Sequence, residues 1–297
     1  MESIELFGKE VKLKTHNCHL FDEPADKVEP SVNFYVRTKF CNAKCLFCTY
    51  ADDASKYNEK KYIEVLKEIS SKIKIRKIAI SGGEPTLYWD NFKSISTIAR
   101  EFQPDCELSM NTDGFRWEQL FNDPIYKLFD YIQLSRHHYD DKTNDEIFKT
   151  KTPTSDQIKE ISSLQTHPHQ IQFRCNLIKG YIDSKEEVFK YLDWANSVEI
   201  NDIGLVSLMP VNEYSKEKYI YFHIKELIGD NFMLTKKWSR YGGGCECFNY
   251  VYMPPENSFR RPIRVYHKNT FKPSDIKETI VFDGQNVRLG FDGEIIY

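Results

Sequence analysis

Three cysteines stand close together at Cys41, Cys45 and Cys48, in the stretch Cys-Asn-Ala-Lys-Cys-Leu-Phe-Cys. Thiolates are the ligands that soft metal centres prefer. Complete ligation of an iron–sulfur cluster usually takes four cysteines, so three would leave one iron without a protein ligand. An open coordination position is typical of metal sites that carry out chemistry rather than hold a fold together. The spacing therefore indicates a reactive iron–sulfur site.

A structural zinc site is the alternative for these cysteines, because Cys45 and Cys48 also have the C-x-x-C spacing of zinc ligands. The remaining ligands would come from the N-terminal region, from His16, Cys18 and His19. No second Cys/His pair follows at the usual distance, since the next cysteine is Cys106. Three unmetallated core thiols are a further alternative, although the residues between them include the polar Asn42 and Lys44.

The composition excludes several classes of protein. The 297 residues include 41 Lys and Arg against 44 Asp and Glu, a net charge of −3. This balance argues against general nucleic-acid binding, which needs a concentrated positive field. No segment approaches the roughly 18 apolar residues of a membrane-spanning helix, and the N-terminus lacks the apolar block of a signal peptide. We therefore expect a cytoplasmic protein without membrane partners, whose eight cysteines are kept reduced.

From residue 32 onward, short β-rich runs alternate with longer helical ones. The predicted strands are Val32–Thr38, Lys77–Ser81, Glu107–Asn111, Tyr131–Ser135, Gln170–Leu177 and Ile203–Leu208. The predicted helices are Glu59–Lys72, Asn91–Phe102, Trp117–Phe129, Thr154–Gln165, Lys185–Asn196 and Lys216–Ile228. Strands that are each followed by a helix form right-handed βαβ units and a parallel sheet. Six units are fewer than the eight of a closed barrel, so we predict an α/β fold, an open (β/α)6 partial barrel.

Changes of composition divide the chain into three regions. Residues 1–31 are polar and contain Pro24 and Pro30, which predicts an N-terminal arm. Residues 32–228 would form the partial barrel, and residues 229–297 a small C-terminal cap that contains β structure. The cap has turn signals at Asp283-Gly284 and Asp292-Gly293, which predict a hairpin around residues 286–290.

The cysteines directly follow the first predicted strand, at the edge where parallel sheets bind their ligands. Their C-x3-C-x2-C pattern resembles the signature of the radical S-adenosylmethionine (SAM) superfamily. The resemblance implies that the three cysteines hold a [4Fe–4S] cluster and that SAM chelates the open iron through its amino and carboxylate groups. It also implies that the aromatic residue before the last cysteine, Phe47, lies against the adenine.

Motifs after later strands strengthen the resemblance. Gly82, Gly83, Glu84 and Pro85 resemble the family's GGE element, whose backbone and glutamate receive the SAM amino group. Paired glycines let a backbone approach a ligand closely, although an ordinary Gly-Gly turn is the alternative. After the third strand come Asn111, Thr112, Asp113 and Gly114. The family often has Asn-Gly here, so Asp113 is a departure.

The fourth and sixth strands end in further candidate SAM contacts. Related enzymes place a serine that touches the SAM carboxylate or ribose where this chain has Ser135, and Arg136 beside it would suit the carboxylate. Met209 follows the sixth strand. Simple turn chemistry for the first two residues, and a core role for Met209, are the alternatives.

The second half of the barrel resembles the MoaA family of GTP 3′,8-cyclases, in residues 171–180, 183–187, 194–195 and 208–210. The superfamily resemblance covers roughly residues 32–212. MoaA carries a second cysteine set in a C-terminal twitch-type region. Here Gly284 stands about where one of those cysteines would be expected, and the chain ends at Tyr297, before the next. We therefore expect a MoaA-like enzyme that does not carry out the molybdopterin reaction.

Cys245 and Cys247 lie in a glycine-rich stretch, Gly-Gly-Gly-Cys-Glu-Cys. Three readings are open. They could bind a second iron–sulfur cluster, together with Cys18, Cys106 or Cys175. One could donate a hydrogen atom to a substrate radical, or both could be buried structural thiols.

Four further residues are candidates for substrate recognition. His137 and His138 follow the fourth strand, where they could form an acid/base loop or a plain polar loop that caps the next helix. Arg174 would point either into the barrel mouth or into a paired core site. Arg288 lies in the C-terminal hairpin.

The resemblance implies reductive cleavage of SAM to a 5′-deoxyadenosyl radical that abstracts hydrogen from a substrate, with a one-electron reductant such as flavodoxin or ferredoxin as partner. A small metabolite of a natural-product, cofactor or nucleotide-like pathway is the first substrate hypothesis. A ribosomally made peptide to be crosslinked or epimerised is the second, which the lack of roughly 80 spare N-terminal residues for peptide recognition disfavours. A non-catalytic metal-binding or scaffold protein is the third.

Overall fold

The computed structural model describes residues 2–13, 31–48, 56–220, 232–234, 245–253, 261–270, 279–291 and 293–297. Its central feature is an open sheet of parallel strands. In chain order these are β3 (Ser31–Thr38), β4 (Lys74–Gly82), β5 (Glu107–Thr112), β6 (Tyr131–Ser135), β7 (Ile171–Leu177) and β8 (Asp202–Ser207). Each pairs in parallel with the next. The six predicted strands of the partial barrel are thereby confirmed.

Helices connect these strands and cover one face of the sheet. They are α1 (Glu59–Lys72), α2 (Trp89–Phe102), α3 (Trp117–Asn122), α4 (Asp141–Phe148), α5 (Ser155–Ser163), α6 (Lys185–Ser197) and the short α7 (Glu213–Glu217). Local sequence fixes their starts: Asn58 caps α1 by accepting the Lys61 amide, and Thr154 and Gln157 form a reciprocal capping box on α5.

The C-terminal strands extend the sheet at both edges. These are β9 (Phe232–Leu234), β10 (Cys245–Tyr252), β11 (Ile263–Thr270), β12 (Thr279–Phe282) and β13 (Val287–Leu289). Strand β11 runs parallel to β8, while β12 runs parallel to β3. The order is β13-β12-β3-β4-β5-β6-β7-β8-β11-β10-β9. The expected C-terminal β structure is therefore present, and it joins the barrel sheet.

A β-hairpin precedes the barrel, formed by β1 (Glu2–Leu6) and β2 (Lys9–Leu13). Phe7 and Gly8 both have positive φ, as a tight two-residue turn requires. The Phe7 ring stacks on Tyr297 at 4.5 Å, and its amide donates to Glu68 of α1. The described part of the expected N-terminal arm is thus a hairpin packed against α1 and the C-terminus.

The two faces of the sheet differ in chemistry. Leu108 and Met110 of β5 are buried in the apolar core with the helices. Because side chains alternate along a strand, Ser109 and Asn111 face the other side, the interior of the partial barrel. The same alternation lines that interior with polar residues from the other strands: Ser81, Gln133, Ser135, Gln172, Arg174 and Asn176. The sheet thus presents hydrogen-bonding groups where a ligand would lie.

At three places the helices differ from the prediction by more than one or two residues. The predicted helix over Trp117–Phe129 breaks at Asp123, and Pro124 begins a separate 3-10 turn. The sequence pattern does not predict α4, because this helix is short and begins inside a polar stretch, where Asp140 caps it. Helix α7 overlaps the start of the predicted helix Lys216–Ile228, residues 218–220 are not helical, and residues 221–228 lie outside the described residues. Among the helices that the structure describes, none is long and apolar enough to cross a bilayer.

Candidate active site around the cysteine loop

The cysteine loop, residues 39–48, follows β3 at the carboxyl edge of the sheet. Cys41 and Cys48 are exposed, while Cys45 is partly buried, and all three are free thiols. The Ala43 amide donates to the Cys41 Sγ at 3.3 Å, and the Cys48 amide donates to the Cys45 carbonyl at 3.1 Å. The three predicted metal ligands therefore lie together on one compact, accessible loop.

Electrostatics favour the protonated thiols when no metal is bound. Burial raises the pKa of Cys41 to about 11 and that of Cys45 to about 12. The neighbouring thiols add to the shift at Cys45, and Asp113 and Glu84 add to it at Cys41. A bound metal supplies the positive charge that removes such protons. The donor set therefore fits a metal centre that binds with release of protons.

Three cysteines are donors that either an iron–sulfur cluster or a single soft metal ion could use. In the described ranges, no three Cys, His, Asp or Glu side chains converge on one point as the ligands of one metal ion would. Each cysteine of an iron–sulfur cube binds a different iron, so its sulfurs lie further apart. The other ligands considered for zinc, His16, Cys18 and His19, fall outside the described residues.

Three hydrogen bonds hold the cysteine loop from three directions. The Lys44 amide donates to the Phe148 carbonyl at the end of α4, at 2.9 Å. The Asn212 side chain donates to the Leu46 carbonyl at 3.1 Å. The Asn42 side chain donates to Asp113, also at 2.9 Å. The loop is therefore positioned by contacts from α4, from the segment after β8 and from the end of β5.

Gly82 and Gly83 let the next loop pack directly against the cysteine loop. Gly82 has φ +110°, and a Cβ on Gly83 would lie 1.7 Å from the Phe40 carbonyl oxygen. The Gly83 amide donates to the Thr38 carbonyl, and the Glu84 amide to the Phe40 carbonyl, both at 2.9 Å. These two amides hold the Gly82-Gly83-Glu84 loop against the end of β3 and the cysteine loop. The expected contact of this loop's backbone with the SAM amino group stays a prediction, because an amino group donates to carbonyl oxygens and not to amides.

Glu84 follows the two glycines, and its expected contact with the SAM amino group stays a prediction. Its side chain is 2% exposed. Its carboxylate accepts hydrogen bonds from the Thr86 amide and hydroxyl, the Thr112 hydroxyl and the Asp113 amide. Burial, and then the charge of Asp113, raise the pKa of Glu84 to about 8. The carboxyl group is turned into the protein because these partners lie beneath the loop.

Arg136 lies inside the loop after β6. It is 1% exposed, although Ser135 beside it faces the barrel interior. Its guanidinium donates to Asp141 at 2.5 Å and to the carbonyls of His138, Tyr139 and Pro153. It also lies 4.8 Å from the Trp194 ring centre. In this structure these contacts fasten the loop after β6, and the expected contact of Arg136 with SAM stays a prediction.

The two histidines after Arg136 are buried as well, and their expected role in a substrate-facing loop stays a prediction. His137 accepts the Asn176 amide at Nδ1 and stacks on Phe148 at 4.7 Å. Burial lowers the pKa of His137 to about 3, so the ring stays neutral. His138 accepts the Asp140 amide, and burial lowers its pKa too. The capped polar loop, which was the alternative, describes this segment.

Phe47 packs on the same group of residues. Its ring meets the His137 edge at 5.1 Å and borders a small apolar cluster of Ile147, Ile178 and Leu208. The ring is half-buried beside Cys48. Met209 follows Leu208 and is also half-buried. This places both at the cysteine loop's rim, and their contact with an adenine stays a prediction.

Side chains inside the barrel were partly missed by sequence reasoning. Arg174 donates to Gln172 at 2.9 Å and to the Phe173 carbonyl, so it bends towards the amino edge of the sheet. A Cβ on Gly204 would lie 2.6 Å from the Nη1 atom of Arg174. Asn111 donates to Ser81 at 3.0 Å. Strand alternation could have identified the remaining inward-facing amides, Gln133, Gln172 and Asn176.

The other candidate residues lie away from the cysteine loop or are incompletely described. Cys245 and Cys247 are in β10, but their side chains, like Gly242–Gly244, fall outside the description. Cys106 and Cys175 are buried, and burial raises the pKa of both. Arg288 lies 3.5 Å from Asp283 in the β12–β13 turn. The roles of Cys245, Cys247 and Arg288 stay predictions.

Comparison with known proteins identifies the barrel. A model of the radical SAM superfamily matches residues 35–192. A probable GTP 3′,8-cyclase of Saccharolobus islandicus is 27% identical over 180 residues, which is 59% of this chain and 56% of that protein. One of Sulfolobus acidocaldarius is 24% identical over 196 residues, 65% of this chain and 60% of that protein. The matched region thus spans little more than half the length of these curated relatives.

Solved structures share the fold. The crystal structure of Streptococcus suis SuiB bound to precursor peptide SuiA has a TM-score of 0.51 and 19% identity, covering 65% of this chain and 43% of that chain. SuiB bound to S-adenosylmethionine gives 0.50, with 19% identity over 64% of this chain and 44% of that chain. At this level of identity the likeness establishes the shared architecture of the barrel.

Proposed function

The chain belongs to the radical SAM superfamily, and from this premise we propose that it is an enzyme that cleaves SAM reductively at a [4Fe–4S] cluster. Cys41, Cys45 and Cys48 would hold the cluster. The observation that carries the proposal is that these three thiols share one accessible loop, fixed by contacts from α4, the β8 end and the β5 end. When bound, the cluster and SAM supply a 5′-deoxyadenosyl radical that abstracts hydrogen from a substrate.

The protein's own part in this reaction is orientation and shielding. Hydrogen bonds from Lys44 to α4, from Asn212 to Leu46 and from Asn42 to Asp113 hold the cysteine loop at the carboxyl edge of the sheet. Beside this loop, the Phe47 ring meets the edge of His137, and His137 stacks on Phe148. The three rings form an apolar wall next to Cys48. Such a wall excludes water from a reactive intermediate. Asn111, Ser135 and Asn176 at the carboxyl ends of the strands supply hydrogen-bonding groups for SAM or substrate.

A small polar metabolite that carries an anionic group is the substrate class that the interior favours. Arg174 lies inside the barrel, and its guanidinium donates towards the amino edge of the sheet, to an amide oxygen and a backbone carbonyl. To bind a substrate at the carboxyl edge, this side chain would have to turn towards that edge. Within the described part of the chain, no carboxylate lies at ion-pair distance from it, and a buried guanidinium gains most from an anionic partner. Because Gly204 has no side chain, the Arg174 side chain can pack directly against it.

A precursor peptide is the second candidate substrate. The observation that favours it is the likeness of the barrel to SuiB, which was crystallised with the peptide SuiA. A non-catalytic metal-binding or scaffold role is the third candidate. The open carboxyl edge of the sheet and the accessible thiols of Cys41 and Cys48 favour chemistry at this site over a scaffold role.

A one-electron reductant such as flavodoxin or ferredoxin is the partner that this reaction requires. A second iron–sulfur cluster at Cys245 and Cys247 would add to the iron content. The second cluster is testable by measuring the iron content. Iron well above four per chain would support it, and the Cys245→Ala, Cys247→Ala double variant should lose the excess.

The proposed function is tested by anaerobic reconstitution with iron and sulfide. We expect about four irons per chain, the absorption of a [4Fe–4S] cluster, and a change in its EPR spectrum when SAM is added. Cys106→Ala is a matched control, because Cys106 is a buried thiol outside the cysteine loop. A protein that binds zinc in preference to iron, or whose cluster EPR spectrum does not change when SAM is added, would contradict the proposal.

A further inference from the structure

A buried pair of carboxyl groups lies directly beneath the cysteine loop. Glu84 is 2% exposed and Asp113 is 6% exposed. The Asp113 amide donates to the Glu84 carboxylate at 2.9 Å, and the Thr112 hydroxyl donates to both Glu84 oxygens at 2.9 and 3.0 Å. The two acids therefore form one unit at the junction of the loops after β4 and β5.

This acid pair is attached to the cysteine loop through Asn42. The Asp113 carboxylate accepts the Phe115 amide with one oxygen and the Asn42 side chain with the other, both at 2.9 Å. Asn42 immediately follows the first cysteine ligand. A hydrogen-bonded chain therefore runs from Glu84 through Asp113 and Asn42 to Cys41.

The acid pair has no cationic partner in the ranges that the structure describes, where neither carboxyl group forms an ion pair. Two adjacent carboxylates in a low-dielectric site cannot both stay charged, so such pairs share one proton. Burial raises the pKa of both groups, and each adds to the shift of the Cys41 thiol. One negative charge thus remains behind Cys41, unneutralised by protein.

We propose, on the basis of the proposed function, that Asp113 is a positioning residue of the cluster: it fixes the cysteine loop through Asn42 and, with Glu84, holds one negative charge that makes the cluster harder to reduce. The reduced cluster carries one more electron than the oxidised one. A fixed negative charge nearby therefore disfavours reduction, and its removal raises the potential.

Two kinds of variant separate the two parts of the proposal. Asp113→Asn retains one amide oxygen, which can accept either from Asn42 or from the Phe115 amide, whereas Asp113→Ala loses both acceptors. In the metal-free protein, we expect hydrogen exchange at residues 42–48 to lose protection in Asp113→Ala and Asn42→Ala, and Asp113→Asn to retain part of it. Unchanged protection in both alanine variants would overturn the positioning role.

The charge is tested in the loaded protein by an EPR-monitored redox titration. Asp113→Asn alone leaves Glu84 free to ionise, so the Glu84→Gln, Asp113→Asn double variant is required to neutralise the pair. We expect its cluster to be reduced at a higher potential than the wild-type cluster. Asp130→Asn is the control, because Asp130 precedes β6 at the opposite edge of the sheet and pairs with Arg100.

The outcomes separate this proposal from the proposed function. A double variant that binds about four irons but keeps the wild-type potential overturns the charge role while the proposed function stands. If the wild-type chain binds no cluster, the proposed function fails, and the exchange experiment on metal-free protein still decides whether Asp113 fixes the loop.

Discussion

The side-chain amide of Asn212 donates a hydrogen bond of 3.1 Å to the backbone carbonyl of Leu46, which lies 166 residues earlier in the chain. Leu46 stands between the second and third cysteines, and Asn212 caps helix α7 just after β8. The contact joins the first and last strands of the (β/α)6 unit at the site. The geometry of the cysteine loop therefore depends on completion of the whole partial barrel.

Asn212→Ser tests this contact without removing the helix cap. Serine caps a helix as well as asparagine does, but its hydroxyl is too short to reach Leu46. We expect little change in the free energy of unfolding and a loss of iron to a chelator about 10-fold faster, as for residues that support metal ligands. Equal rates of iron loss in variant and wild type would contradict the role of this contact.

Gly83→Ala should disrupt the junction between the two loops. The added Cβ would lie 1.7 Å from the Phe40 carbonyl oxygen, which is backbone and cannot move aside cheaply. We expect a loss of about 2–4 kcal/mol of unfolding free energy together with poor iron binding. Gly180→Ala is the comparison, because Gly180 has φ +93° and no atom within 4 Å of its Cβ position. It should lose only about 1–2 kcal/mol through backbone strain. Similar losses in the two variants, measured by urea denaturation, would argue against close packing at Gly83.

The stability of the metal-free protein should fall as the pH rises through the titration of Glu84. Its pKa is about 8 in the folded protein against an ordinary value of 4.5, so the folded state binds the proton more tightly than the unfolded state. The stabilisation is complete below pH about 4.5 and is lost as the pH rises to about 8. Glu84→Gln should flatten this dependence in denaturation curves at pH 5, 6, 7 and 8. A variant that keeps the wild-type slope would show that another group is responsible.

Arg136→Lys separates a structural role from a SAM contact. Lysine cannot reproduce donation to Asp141 and three carbonyls from one buried planar group. We expect a loss of about 2–4 kcal/mol of unfolding free energy. Reconstituted protein that remains folded should retain a near-normal KM for SAM. Normal stability with a strongly raised KM would restore the SAM contact that the sequence indicated.

The sequence predicts those parts of the fold that local pattern determines. Helix α1 and strand β6 have the predicted bounds. Apolar periodicity defines both, and the Asn58 cap fixes the start of α1. The β1–β2 hairpin was missed, since its buried face is completed by α1 and Tyr297. The buried contacts of Glu84 and Arg136 could not be predicted from the sequence for a related reason. A motif places a residue after a strand, but partners distant in sequence decide which way its side chain turns: Thr112 for Glu84, and Pro153 for Arg136.

The central claim is tested most directly by measuring 5′-deoxyadenosine in reconstituted protein given SAM and a strong one-electron reductant under anaerobic conditions. The account predicts that the wild-type chain and Cys106→Ala form 5′-deoxyadenosine, while Cys45→Ala forms none above the background without protein. Formation of 5′-deoxyadenosine by Cys45→Ala at the wild-type rate would contradict the assignment of the cysteine loop as the site of SAM cleavage.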